Sequence, residues 1–195
     1  GGVLFDGPGY DPVVWAPGTT GVRGVARMNN AQFSQLPGSA PNIVPLANGH
    51  YVVTRSRWAS SAQTANQGAV TWGNGQAGGI PGPVSAANSI TGAANNDGVN
   101  LSVTALTNGN FIVSAPSFSA GRGAVTWMPG YQPLPAQIGD QNSLIGPLGS
   151  EFGGGFVTGL LNGNFVIGSP LYSTSPSITA LGGWTWGDGQ TATYG

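Results

Sequence analysis

The chain repeats itself, and that limits its fold more than any motif does. Residues 103–116 read VTALTNGNFIVSAP, residues 157–170 read VTGLLNGNFVIGSP, and residues 44–54 give a third version, VPLANGHYVVT. A second block follows each: GAVTWGNG at 68–75, GAVTWMPG at 123–130 and GGWTWGDG at 182–189. A third block follows two of them, NSITG at 88–92 and NSLIG at 142–146. A worn fourth copy stands at the N-terminus. VVWAPG at 13–18 matches the IVSAP of 112–116, GVARMN at 24–29 stands for GAVTW with Met28 at the Trp position, and AQFSQLPG at 31–38 serves as the third block.

The spacing sets the size of one unit. Asn48 to Asn108 is 60 residues and Asn108 to Asn162 is 54, while Trp72, Trp127 and Trp186 are 55 and 59 apart. Solenoid coils repeat at roughly 20–30 residues and propeller blades at roughly 40–50, so the period suits a blade with long loops. Within a unit, VTAL alternates faces and TNGN reads as a two-residue Asn-Gly hairpin. FIVSAP is a β-branched and aromatic run suited to a strand covered on both sides. GAVTW is a third strand and NSLIG a short fourth. No stretch has a period of 3.6, so helix should be nearly absent. The expected fold is all-β: one repeat domain over 1–195, β-propeller-like, with about four four-stranded antiparallel blades near 3–42, 43–100, 101–155 and 156–195. The residues TATYG at 191–195 would begin a partial fourth strand. A β-solenoid is the alternative fold, and tight hairpins argue against it because they join antiparallel neighbours.

Composition narrows the function. Only 6% of residues are charged and the net charge is −1, while 39% are apolar, so neither self-repulsion nor a shortage of core keeps the chain unfolded. The basic residues are Arg23, Arg27, Arg55, Arg57 and Arg122, with no Lys, which is too sparse a set to track phosphates. Nucleic acid is an unsuitable partner, and no apolar run is long enough for a membrane helix. There is no Cys, hence no disulfide and no thiolate metal site. Abundant Gly, Ser, Thr and Asn with little charge point to an extracellular or cell-surface scaffold.

Two resemblances rest on these blocks. FIVSAPSFSAGRGAVTW at 111–127 resembles the FG-GAP repeats of integrin-type β-propellers. The longer string, with GAVTWGNG and AANSITG, is similar to tandem repeats of large bacterial secreted proteins of the filamentous-haemagglutinin or adhesin type. Many FG-GAP blades carry an Asp-rich calcium loop. The matching turns here, at Asn48, Asn108 and Asn162, hold no carboxylate, so no metal and no cofactor are expected.

Catalytic chemistry finds little support. The acids Asp6, Asp11, Asp97, Asp140, Glu151 and Asp188 sit mostly among Gly, Asn and Pro, where Asp favours turns. His50 occupies the place of Asn110 and Asn164 and reads as a turn residue. No catalytic residue is assigned. The chain is read as a non-catalytic structural or adhesive module that pairs with further copies of itself through open sheet edges. The alternative is a lectin-like propeller. Its candidate glycan contacts are Trp58, Tyr131 and Tyr172, with Arg55, Arg57 and Arg122 nearby, whereas Trp72, Trp127 and Trp186 read as blade core.

Overall fold

A computed structural model describes residues 13–14, 31–33, 41–77, 82–133, 135–154, 156–173 and 181–191. The first repeat contributes β1 (Val13–Val14) and β2 (Ala31–Phe33). The second runs through β3 (Asn42–Pro45), β4 (Tyr51–Arg55), β5 (Ala69–Gly73), β6 (Gly82–Pro83) and β7 (Ser89–Thr91). The third has β8 (Ser102–Ala105), β9 (Phe111–Ala115), β10 (Ala124–Met128), β11 (Ala136–Gln137) and β12 (Leu144–Ile145). The fourth supplies β13 (Phe156–Gly159), β14 (Phe165–Ser169) and β15 (Gly183–Gly187). One helical turn lies at Phe118–Gly121, and inside it Ser119 and Ala120 take left-handed backbone angles.

The chain is therefore an all-β, propeller-like repeat. Among the described residues four sheets form, ordered β1-β2-β6, β11-β7-β5-β4-β3, β12-β10-β9-β8 and β13-β14-β15. Consecutive strands β3-β4-β5-β7, β8-β9-β10-β12 and β13-β14-β15 are antiparallel, unlike the stacked parallel rungs of a solenoid. The first strands β3, β8 and β13 stand side by side, and the Thr104 hydroxyl donates to the Val157 carbonyl across that boundary.

Burial follows neighbours more than sequence. All five residues of β9, FIVSA, are buried because sheets lie against both faces. One cluster joins Val52, Val70, Trp72 and Ile90 of the second repeat to Phe111, Val113, Ala124 and Met128 of the third. Another joins Ile112 and Val125 of the third to Phe165 and Ile167 of the fourth. The homologous β14, FVIGS, alternates buried and half-buried, as expected where one face is covered.

Three expectations are corrected. The sheets are not uniform four-stranded blades: β6 and β11 leave their own repeat and pair in parallel with β2 and β7 of the preceding one. Pro83 in β6 lacks an N–H, which suits an edge strand.

The second correction concerns the first repeat. Val13 pairs with Gln32 as Val70 pairs with Ile90 and Val125 with Leu144. Gly82 then pairs with Gln32 as Ala136 pairs with Ile90. VVWAPG thus aligns with VTWMPG at 125–130 and not with IVSAP, so Met28 is not the Trp counterpart; residue 28 itself, and the strand expected beyond Thr191, lie outside the described residues.

The third is the hairpin. Gly49, Gly109 and Gly163 have φ of +84°, +89° and +89°, while the Asn before each does not enter the left-handed region. The Gly N–H donates to the carbonyl three residues back, at Leu46, Leu106 and Leu160. This is a three-residue loop ending on a left-handed glycine. The Asn instead uses Oδ1 to accept from the N–H two residues on, at His50, Asn110 and Asn164. That leaves its Nδ2 group directed outward.

Candidate functional site

The chemistry-bearing side chains converge on the seams between repeats. Asn48 Nδ2 donates to Gly130 O at 2.8 Å and Gly109 O at 3.3 Å, both in the next repeat. Trp72 Nε1 donates to the same Gly130 carbonyl at 2.8 Å. One seam further, Asn108 Nδ2 and Trp127 Nε1 each reach Gly189 O at 2.8 Å. The receiving loop is held from within: Gly75, Gly130 and Gly189 donate their N–H groups to His50 Nδ1, Asn110 Oδ1 and Asn164 Oδ1. His50 thus replaces Asn as an acceptor, with its ring centroid 4.8 Å from that of Trp72.

The NS block holds the crossing strands. Asn88 accepts from the Ser85 N–H and donates to Pro83 O; Asn142 accepts from the Gly139 N–H and donates to Gln137 O. The hydroxyls of Thr71 and Ser89 share a hydrogen bond of 2.6 Å, and those of Thr126 and Ser143 one of 2.7 Å. Asp97 is buried. Its carboxylate accepts from the N–H groups of Ala93 and Ala94 and, across the seam, Ser119.

The six candidate ligand contacts are dispersed. Trp58 is 6% exposed and gives its indole N–H to Val84 O. Arg55 is buried within β4, Arg57 is exposed, and half-buried Arg122 donates Nε to Gly146 O. Tyr131 is 64% exposed. Tyr172 is half-buried and lines a cavity of about 580 Å³ with Leu144, Ile145, Ser169, Gly183 and Trp184. Trp58 lines a different cavity, of about 530 Å³. They do not form one site.

Those positions nevertheless correspond. The turns Arg55–Trp58 and Ser169–Tyr172 are closed by the same bond, from the Trp58 and Tyr172 N–H groups to Arg55 O and Ser169 O. Counting from the paired strands, Phe118 is their counterpart in the third repeat. The chain matches the family described as a repeat of unknown function (DUF5650) over residues 45–101, 105–154 and 159–195. It belongs to that family. Each matched stretch opens on the last residue of a first strand, Pro45, Ala105 or Gly159, so the family unit runs from one hairpin loop towards the next. No curated protein matches the chain.

Sequence reading missed two things. The Asn-Gly turns were legible as turns, but nothing local shows that the amide crosses a seam. Trp186, read as core, is 37% exposed, and its neighbour Trp184 is 77% exposed. Trp72 and Trp127 face a following repeat, whereas Trp186 of β15 belongs to neither of the two large buried clusters.

Proposed function

We propose that this chain is a non-catalytic structural and adhesive repeat module of an extracellular or cell-surface protein, associating with copies of itself through sheet edges. The observation that supports this most is the use of Asn48, Asn108, Trp72 and Trp127: each spends its polar hydrogen on a glycine carbonyl of the next repeat. Side chains that could recognise a ligand instead fasten repeat to repeat, as a stiff spacer requires. Trp184 and Phe156 on the last sheet and Leu161 in its hairpin loop stand exposed and supply apolar surface for association. Size-exclusion chromatography with light scattering, followed by negative-stain microscopy, tests it. Rings or filaments support the reading; a monomer at high concentration removes self-association.

The second reading is glycan binding. Tyr172 and Trp184 line one cavity together with the polar residues Ser169 and Thr185. Titration of sugars followed by tryptophan fluorescence would show saturation if this reading holds.

A further inference from the structure

Asn-Gly pairs occur at 48–49, 74–75, 108–109 and 162–163. Such a pair is able to modify itself: the glycine nitrogen attacks the Asn side-chain carbonyl carbon, and a cyclic imide forms with loss of ammonia. Glycine has no side chain to hinder that approach. Closure is helped by a base for the Gly N–H, by donors for the charge that builds on Oδ1, and by a side-chain NH2 that is free to leave.

At Asn48 and Asn108 the fold withholds this help. The Gly49 and Gly109 N–H groups are given to the carbonyls of Leu46 and Leu106, which are poor bases. Each Oδ1 accepts one N–H, from His50 or Asn110, and each Nδ2 is tied to glycine carbonyls of the next repeat. Asn162 likewise precedes a glycine whose N–H goes to Leu160 O.

Asn74 differs on every count. The Gly75 N–H donates to His50 Nδ1 at 3.3 Å, so an imidazole lone pair faces the proton that must leave. Asn74 Oδ1 accepts from the Gln76 N–H at 2.9 Å and the Ala77 N–H at 3.0 Å, two backbone donors on the atom that becomes an oxyanion. Its Nδ2 holds no hydrogen bond to any described residue. The equivalent loops lack this combination. Gly130 and Gly189 follow Pro129 and Asp188, and they give their N–H groups to the amide oxygens of Asn110 and Asn164.

We propose that Asn74-Gly75 is a self-modification site at which His50 and two backbone N–H groups promote closure of the Asn74 side chain onto the Gly75 nitrogen. The Gly75 nitrogen passes its proton to His50 Nδ1 and bonds to Asn74 Cγ, while the Gln76 and Ala77 N–H groups hold the negative Oδ1. On collapse the Cγ–Nδ2 bond breaks, and Nδ2 leaves as ammonia with the proton that His50 accepted. Water then opens the imide to aspartate or isoaspartate. The loop accommodates the aspartate, because Asp188 Oδ1 already accepts from the Gln190 and Thr191 N–H groups in the same way. Isoaspartate lengthens the backbone and displaces Gly75, whose α-carbon is packed against the Gly49 carbonyl. The site acts once, on its own chain, and stands apart from the structural role.

The test incubates the intact chain near neutral pH beside a peptide with the sequence of residues 71–77, TWGNGQA. Digestion and mass spectrometry then follow the exchange of NH for O at each Asn-Gly pair. Asn74 should convert about tenfold or more faster in the folded chain than in the peptide, while Asn48 and Asn108 persist. His50→Asn, which keeps an acceptor for Gly75, should slow the reaction by about tenfold or more while the melting temperature holds. Conversion of Asn74 no faster than in the peptide, an unchanged rate in His50→Asn, or equal conversion at all the pairs overturns the proposal.

Discussion

Asn48 and Gly130 lie 82 residues apart in the chain, and the Asn48 side-chain amide donates to the Gly130 carbonyl at 2.8 Å. The same relation joins Asn108 to Gly189. A turn residue in one repeat thereby fixes the loop of the next.

Replacing Asn108 by Ala removes this bond and the Asx bond to the Asn110 N–H. A loss of about 1–2 kcal/mol is expected. Asn108→Asp should cost more, because a carboxylate would face the Gly189 carbonyl. Chemical denaturation of the three proteins checks the order, and equal stability of wild type and Asn108→Ala would refute it.

Trp127→Phe keeps most of the ring and deletes the indole N–H that reaches Gly189 O. The expected cost is about 1 kcal/mol beyond lost ring area. Trp184→Phe, at an exposed site, should cost less than about 0.5 kcal/mol. Melting temperatures of the pair suffice to compare them.

Gly130 packs its α-carbon against the Gly109 carbonyl so closely that a Cβ there would overlap the oxygen, and Gly75 and Gly189 repeat the contact with Gly49 and Gly163. Gly130→Ala should therefore destabilise by about 3 kcal/mol or prevent folding, as overpacking against backbone does. Gly139 faces open space, so Gly139→Ala provides the control. Similar melting curves for both variants would sink the argument.

His50→Asn keeps an acceptor for the Gly75 N–H and should be nearly neutral. His50→Leu removes it, at an expected cost of about 1 kcal/mol.

Tyr51 lays its ring over Gly73, its cross-strand partner, and burial raises the phenol pKa above its ordinary value of 10.0. The neutral form is favoured in the folded chain. Above the unfolded pKa the unfolded state binds fewer protons, so this contribution to stability is complete below about pH 10 and declines as pH rises through the folded pKa. Stability measured from pH 8 to 11 should fall at the alkaline end, and Tyr51→Phe should flatten that fall.

Legibility in the sequence varied with how local each interaction is. The blocks around Phe111 and Trp127 announced strands, turns and period, because alternation and Gly-bearing loops depend on near neighbours. The first repeat was misaligned since Val13–Trp15 resembles two blocks equally well, and only the pairing of Val13 with Gln32 separates them. The crossing strands β6 and β11 leave no clear mark in the sequence, because they are two residues long and contain or follow proline. Among the candidate contacts, Trp58 and Tyr172 are legible as aromatics, but their equivalent place, closing the turn that follows a central strand, is a tertiary fact.

By itself, then, the order of residues determined an all-β chain of repeating meanders, since backbone pairing and side-chain alternation are set within a few residues. Tertiary structure decided which repeat each strand completes, where the Asn and Trp hydrogens go, and which copy of a shared motif is covered. Those outcomes depend on what packs alongside. The runs FIVSA and FVIGS differ little as sequences, yet the first is wholly buried and the second is not, because burial belongs to the neighbouring sheet.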